Sequence, residues 1–336
     1  MKLKKCQLLF LLFLIAGTIY IAVSNNDASA VRIRKFSEPI FGTLMNVTYT
    51  SSEDLHDTIM ACLHGADASM SMFNPQSTLS RINRGETDAL DMYLQELLPI
   101  AYNISEATDG AFDITVAPLV NAWGFGFKNG QLPTDEQVDS LLTLVDFRTI
   151  KILDGHVIKD NPNTVIDLSA IAKGFGTDLV ANLLRKHGIS DFMVEIGGEI
   201  VCSGNNPKGE AWHIGINRPV EDSTGTKNEI QEIIDVHNGA MATSGNYRNF
   251  YITDDGCKLS HTIDPSTGRP VRHNLLSATV MAPSCAVADA FATSFMVMGM
   301  EKAITVIGQN PQLQAYFIYT DSLGNYRTWS SIQAGK

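Results

Sequence analysis

Apolar residues at Leu55, Ile59, Leu63 and Ala66 recur three to four positions apart, and that spacing predicts a helix within residues 52–74. Similar periodicity predicts a helix over 90–108, ended by Asp109-Gly110, and another over 168–187, stopped by Gly188. A last long helix is expected from Cys285 to Met298. Between these lie segments with strand character: 36–49, 192–196 running into Gly197-Gly198, 230–236, 277–281 and 313–319. Residues 150–166 alternate apolar and polar positions around Asp154-Gly155, the signature of a hairpin. Helices and strands mix without strict alternation, and no repeat or low-complexity linker divides them. The pattern predicts an α+β fold, a single mixed domain of helices packed on largely antiparallel sheets.

The first thirty residues follow a different grammar. Lys2, Lys4 and Lys5 precede an apolar run from about Leu8 to Val23, and polar residues then lead to Ala28-Ser29-Ala30. That order is the one of an export signal cleaved after Ala30, or of an N-terminal anchor if the apolar run is retained. Residues 31–336 are then the folded, exported part. No cysteine sits just after the apolar run, so a lipid anchor is not expected. In an oxidising compartment Cys62, Cys202, Cys257 and Cys285 could form one or two disulfides or remain buried thiols. None of them has C-x-x-C spacing, which argues against structural zinc.

Of 336 residues, 44% are hydrophobic and 18% charged, the composition of a chain that folds. Acidic residues outnumber basic ones 36 to 25, for a formal charge of −11, and no basic run lies beyond the first five residues. Nucleic acid is therefore excluded as a partner, and a phosphorylated ligand would need a recruited cation.

Four stretches carry more Gly, Asp, Thr and His than packing requires. Gly110-Ala111-Phe112-Asp113-Ile114-Thr115, continuing to Trp123-Gly124-Phe125-Gly126, offers close backbone approach and aromatic walls. Val165 to Gly176 passes from a strand through small residues into a helix, a place where free amides attract an anion. The position that would complete G-x-G-x-x-G after Gly174 and Gly176 is Leu179, so no dinucleotide fingerprint is present. Its plainer reading makes Asp167 a helix cap and Lys173 a solvated charge. The third stretch joins Ala242 to Arg248 with His261 to Pro270, where a rigid Asp-Pro turn displays His261, a side chain suited to proton transfer. The fourth is Ala288-Asp289-Ala290-Phe291-Ala292-Thr293. On a helix Asp289 and Thr293 share a face, and two hard oxygens there suit Mg²⁺ better than zinc. Alternatively, Asp289 simply favours the dipole at the start of its own helix.

Taken in order, these motifs resemble those of the ApbE-type FAD:protein FMN transferases across nearly the whole chain after residue 30. The family's M-G-T corresponds to Phe41-Gly42-Thr43, its D-G-x-x-D-x-T-x-x-P-L-x-x-x-W-G-F to Asp109 through Phe125, and its D-L-x-x-x-A-K-G to Asp167 through Gly174. The glycine pair is Gly197-Gly198, T-S-G-x-Y is Thr243 to Tyr247, H-x-I-D-P-x-T-G is His261 to Gly268, and A-D-A-x-x-T is Ala288 to Thr293. The resemblance implies a periplasmic or outer-surface enzyme that binds FAD, splits its pyrophosphate with Mg²⁺, and attaches FMN to a Thr or Ser of an acceptor protein as AMP leaves. It implies a metal held by Asp289, Thr293 and the Ala170 carbonyl, and flavin nucleotide contacts from Phe41, Phe73, Ala111, Phe112, Asp113, Asp167, Lys173 and Ile263. His261 would handle the proton, with Asp289 the pivotal carboxylate, and the acceptor would be a subunit of a membrane redox complex. The chain departs from the family pattern at Phe41, which replaces Met, at Phe73, which stands where many members have Tyr, and at Ala292, which lacks an acidic side chain. A Mg²⁺-dependent FAD pyrophosphatase and a non-catalytic FAD-binding protein are the alternative readings.

Overall fold

The computed structural model describes Phe10 and residues 13–18, 31–126, 132–219, 229–246, 250–252 and 258–332. The proposed cleavage motif at Ala28 to Ala30, and Cys6, Tyr247, Arg248 and Cys257, lie outside the described residues, as does most of the apolar run. Among the described residues no helix is long and apolar enough to cross a membrane.

Strands β1 (Arg32–Ile40) and β2 (Thr43–Ser51) open the fold as a hairpin. The chain then leaves the sheet through α1 (His56–Met70), α2 (Thr78–Asn83), α3 (Met92–Ala107), α4 (Ala117–Ala122) and α5 (Asp135–Leu142), followed by a small hairpin of β3 (Ile150–Leu153) and β4 (His156–Lys159). Helix α6 (Ala172–Lys186) returns it to β5 (Phe192–Ile196) and β6 (Glu199–Ser203). The hairpin of β7 (Trp212–Asn217) and β8 (Ile230–Val236) precedes β9 (Gly239–Gly245). Two short pairs, β10 (Phe250–Ile252) with β11 (Lys258–Ser260) and β12 (Ile263–Asp264) with β13 (Arg269–Pro270), precede β14 (Leu275–Ala282). Helices α7 (Cys285–Met298) and α8 (Met300–Gln309) lead to β15 (Gln314–Thr320) and β16 (Tyr326–Ser330).

One eight-stranded sheet, in the order β1-β2-β5-β6-β9-β14-β15-β16, is antiparallel throughout. Because its strands follow chain order, successive connections alternate between the two ends of the sheet. The Phe41-Gly42 turn, the Gly197-Gly198 turn and the segment carrying His261 therefore share one end. Alternation along each strand puts Met45, Val47 and Tyr49 of β2 and Phe192, Val194 and Ile196 of β5 on one face, packed on Ile59 and Leu63 of α1 and Val180 and Leu184 of α6. The other half of the core joins Leu94, Leu97 and Leu98 of α3, Phe291 and Phe295 of α7, and Ala242, Val280 and Phe317 of the sheet. On β9 the face toward α7 reads Ala240, Ala242, Ser244, and these small side chains let the helix lie close.

Helices α6 and α7 cross where each begins, and each caps the other. Helix α6 has no side-chain cap of its own at Ile171, and the Gly174 N–H donates instead to Asp289 Oδ2 of α7 at 3.0 Å. In return, Asp178 of α6 accepts the Cys285 and Ala286 amides at the start of α7, both at 2.8 Å. These bonds satisfy first-turn donors that a helix leaves orphaned. The crossing needs Gly174: a Cβ there would stand 2.7 Å from the Cys285 carbonyl carbon and 2.8 Å from Asp289 Cβ.

Several expectations are corrected. Residues 36–49 are not one strand but parts of two, because Phe41 and Gly42 take positive φ of 49° and 71° and close a two-residue turn. Helix α6 starts at Ala172 rather than 168, and Asp167 does not cap it; its Oδ1 accepts the Ser169 amide at 2.8 Å in a local turn ahead of the helix. Short helices α2, α4 and α5, unforeseen from periodicity, fill the span before β3. Of the two readings left open for the cysteines, the thiol reading holds for Cys62, Cys202 and Cys285, which are free, the last two buried. The Asp154-Gly155 hairpin, the Gly188 stop and the Cys285–Met298 helix stand as expected, although the hairpin ends at Lys159.

The crossing predicts opposite signs for two glycine substitutions. Gly174→Ala should lower stability by about 1–3 kcal/mol, because backbone blocks the methyl group, whereas Gly308→Ala in α8, with nothing within 4 Å, should raise it by up to about 1 kcal/mol. Chemical denaturation of both variants checks this. Burial, opposed by its two amide bonds, pushes the Asp178 carboxyl from an ordinary 3.8 up to about 6. Stability that this group contributes below its unfolded value is thus lost as pH rises through its folded value. The melting temperature of Asp178→Asn relative to wild type should climb between about pH 4 and 6.5 and level off above; a flat difference would contradict the assignment.

Candidate active site

A cavity of about 640 Å³ opens at the sheet end that gathers the Gly197-Gly198 turn, the end of β9, the start of α6 and the His261 segment. Its size suits a nucleotide-scale ligand. The inner wall carries three buried or half-buried charges. Lys173 Nζ lies 2.8 Å from Glu199 Oε1 and 3.8 Å from Asp289 Oδ1, and both carboxylate side chains are only 4% exposed. Glu199 faces inward because it shares a strand face with buried Val201, two residues on. Burial and neighbouring Asp289, opposed by Lys173, push the Glu199 carboxyl up to about 8. Burial likewise raises Asp289, against the pull of Lys173 and the Gly174 amide. For Lys173 burial alone would lower the value, but the Asp289 and Glu199 charges overcome it and hold the ammonium above its ordinary range. Lys173 is therefore not the solvated charge of the plainer sequence reading.

One helical turn past Asp289, Thr293 Oγ1 lies 3.2 Å from Ser244 Oγ, and all three residues line the cavity beside Ala170. This set offers one carboxylate, two hydroxyls and a backbone carbonyl. Among the described residues no group of three or more His, Cys, Asp or Glu side chains is placed to hold a metal. A hard-oxygen set with a single carboxylate nevertheless fits Mg²⁺, which keeps waters and takes further ligands from substrate phosphates. Asp289 is not merely a favourable charge at its own helix start, since it caps the neighbouring helix.

The remaining expected residues divide. Ala111, Phe112, Asp113, Asp167, Ala170, Lys173, His261, Ile263, Asp289 and Thr293 all line the cavity. Asp113 also ties its loop together: Oδ1 accepts the Thr115 amide at 2.7 Å and hydroxyl at 2.6 Å, and Oδ2 accepts the Phe147 amide at 3.1 Å. Burial raises both Asp113 and Asp167 in spite of their hydrogen bonds. His261 is half-buried, its ring edge-on to Phe125 at 6.3 Å between centroids. Trp123, expected as a wall, instead donates from Nε1 to the Gly268 carbonyl at 2.7 Å and fastens α4 to the His261 segment. Phe41 and Phe73 are not among the residues that line the cavity. The Phe41 ring lies over Gly176, whose missing side chain makes room for it, and Phe73 is 63% exposed.

Glu199 and Asp178 were not singled out from the sequence, and Ser244 was read only as part of the third stretch, without a role of its own. Glu199 was signalled by its place two residues before an inward valine, Ser244 by its place two residues after Ala242 on the α7-facing side of β9, and Asp178 by lying one turn past Gly174. Each signal exists only once the strand or helix face is known.

Comparison with known proteins agrees with the geometry. The ApbE family profile matches residues 41–317. The chain is 37% identical over 318 residues, 91% of its length and 93% of the relative's, to a Vibrio cholerae protein named FAD:protein FMN transferase. An Escherichia coli K12 protein of the same name is 36% identical over 291 residues, covering 84% of this chain and 81% of that one. Among solved structures, the flavin transferase ApbE from Vibrio cholerae superposes with a TM-score of 0.81 at 36% identity, covering 90% of this chain and 98% of that chain. The apo form of the Pseudomonas stutzeri flavinyl transferase ApbE superposes with a TM-score of 0.78 at 30% identity, covering 89% and 94%. With a profile match over most of its length and relatives this similar across more than four-fifths of it, the chain belongs to the ApbE family.

Proposed function

We propose that this chain is an FAD:protein FMN transferase that uses Mg²⁺ to move FMN from FAD onto a Ser or Thr hydroxyl of an acceptor protein, with release of AMP. The observation that carries the reading is the cavity itself. Asp289, Thr293, Ser244 and Ala170 line it together beside the start of α6, with Thr293 Oγ1 3.2 Å from Ser244 Oγ, in a chain whose acidic residues outnumber its basic ones 36 to 25. The relatives' names supply the reaction class.

In this reading the FAD diphosphate lies against the first turn of α6, where Lys173 and the positive end of the helix favour anionic oxygen. Ala111, Phe112 and Ile263 supply apolar contact to the nucleotide, and Asp113 and Asp167 fix the loops that present it. The acceptor hydroxyl attacks the FMN phosphorus; the new O–P bond forms as the bond to the AMP phosphate oxygen breaks, and His261 takes the hydroxyl proton. A bound Mg²⁺ would supply charge neutralisation at the diphosphate. Residues 1–30 would deliver the domain to the periplasm or the outer face of the inner membrane, where subunits of membrane redox complexes are the fitting acceptors.

Incubation with FAD, Mg²⁺ and a Ser/Thr-containing acceptor peptide, read by mass spectrometry with AMP quantified in parallel, tests the proposal. Peptide-bound FMN matched by AMP is expected; AMP with all FMN free would indicate a pyrophosphatase, and FAD recovered intact would indicate a binding protein. Asp289→Ala should reduce transfer roughly 100-fold or more. Parental transfer by that variant in the presence of a chelator would contradict the reading.

A further inference from the structure

We propose that Glu199 is a positioning residue: it holds the Lys173 ammonium clear of Asp289 and so keeps that carboxylate open to a divalent cation. This rests on the Mg²⁺ reading above and adds a residue that the motif comparison did not single out. Lys173 Nζ is within hydrogen-bond distance of Glu199 Oε1, at 2.8 Å, and beyond it from Asp289 Oδ1, at 3.8 Å. The backbone cannot set this difference by moving, because the first turn of α6 is pinned to Asp289 through the Gly174 amide. The side chain alone decides which carboxylate takes the ammonium.

Glu199 is suited to win that competition. It projects from a short strand paired on both sides, by β5 and by β9, and its second oxygen, Oε2, is buried without a hydrogen-bond partner. The ammonium therefore has a further acceptor on the Glu199 side when it withdraws from Asp289. A divalent ion on Asp289, Thr293 and Ser244 would bring two more positive charges next to Lys173. With Glu199 replaced by glutamine, the lysine would have no other carboxylate in the cluster to pair with, and it would compete with the ion for Asp289.

Mn²⁺ binding to the purified full chain without FAD, followed by titration calorimetry and electron paramagnetic resonance, separates the possibilities. Wild type should bind Mn²⁺, and Glu199→Gln should bind it about tenfold more weakly, the usual effect of losing a partner just outside the metal ligands. Lys173→Met should bind at least as tightly as wild type, and adding Glu199→Gln to it should change affinity by no more than about twofold. Equal affinity in wild type and Glu199→Gln, or a double variant as weak as Glu199→Gln, would overturn the proposal. If near-ultraviolet circular dichroism shows Glu199→Gln misfolded, Lys173→Met decides: weaker binding than wild type overturns the proposal and equal or tighter binding supports it. Failure of wild type to bind Mn²⁺ while it transfers FMN would instead remove the cation reading on which the proposal stands.

Discussion

The α6–α7 crossing is the constraint on which the site depends. Two helices begin against each other without room for a side chain at Gly174, and each offers an aspartate to the other's unsatisfied amides. Asp289 is held by one of its oxygens, Oδ2, and this leaves Oδ1 turned to Lys173 and the cavity. One oxygen of this carboxylate thus serves to cap α6, and the other is left facing the cavity. The arrangement makes the position of Asp289 a property of the helix pair rather than of a mobile loop, which is what preorganisation of a charged group requires.

The charges around it contribute little to stability. At an effective dielectric of about 20 an ion pair some 4 Å apart gains about 4 kcal/mol, while removing each ion from water costs several kcal/mol. Burial is the main cause that raises Glu199 and Asp289; the Asp289 charge adds to it at Glu199, and Lys173 opposes it at both. A core built for stability alone would place apolar groups there. In the proposed reading these carboxylates serve to draw a cation, and the cation would suit the cavity to a diphosphate.

Much of this was legible in the sequence because local chemistry and global placement agree. Asp289 and Thr293 needed only helical spacing, and the helix from Cys285 to Met298 is marked by its apolar run and by Ser284, which caps it. The Asp154-Gly155 and Gly197-Gly198 turns were readable for the same reason: positive φ restricts the choice of residue. Other features depend on tertiary contact. The turn at Phe41 hides in the strand pattern because a bulky residue there is unusual, and its ring is accommodated by Gly176, 135 positions away. Asp167 reads as a cap until the helix is seen to begin five residues later. Asp178 and Glu199 look like ordinary charges in a helix and after a turn; only the packing of α7 on α6 and the inward face of β6 give them roles. Phe73 and Phe41, brought in by motif resemblance, are not among the residues that line the cavity, since a motif fixes the order of residues and not the reach of their side chains.

The most direct test of the central claim is the anomalous difference map of crystals grown with Mn²⁺ and FAD. The account predicts a single strong peak between the Asp289 carboxylate and Thr293 Oγ1, in contact with the diphosphate, with Lys173 turned to Glu199. A map with the flavin nucleotide bound and Lys173 filling that position, or with manganese bound only elsewhere, would contradict it.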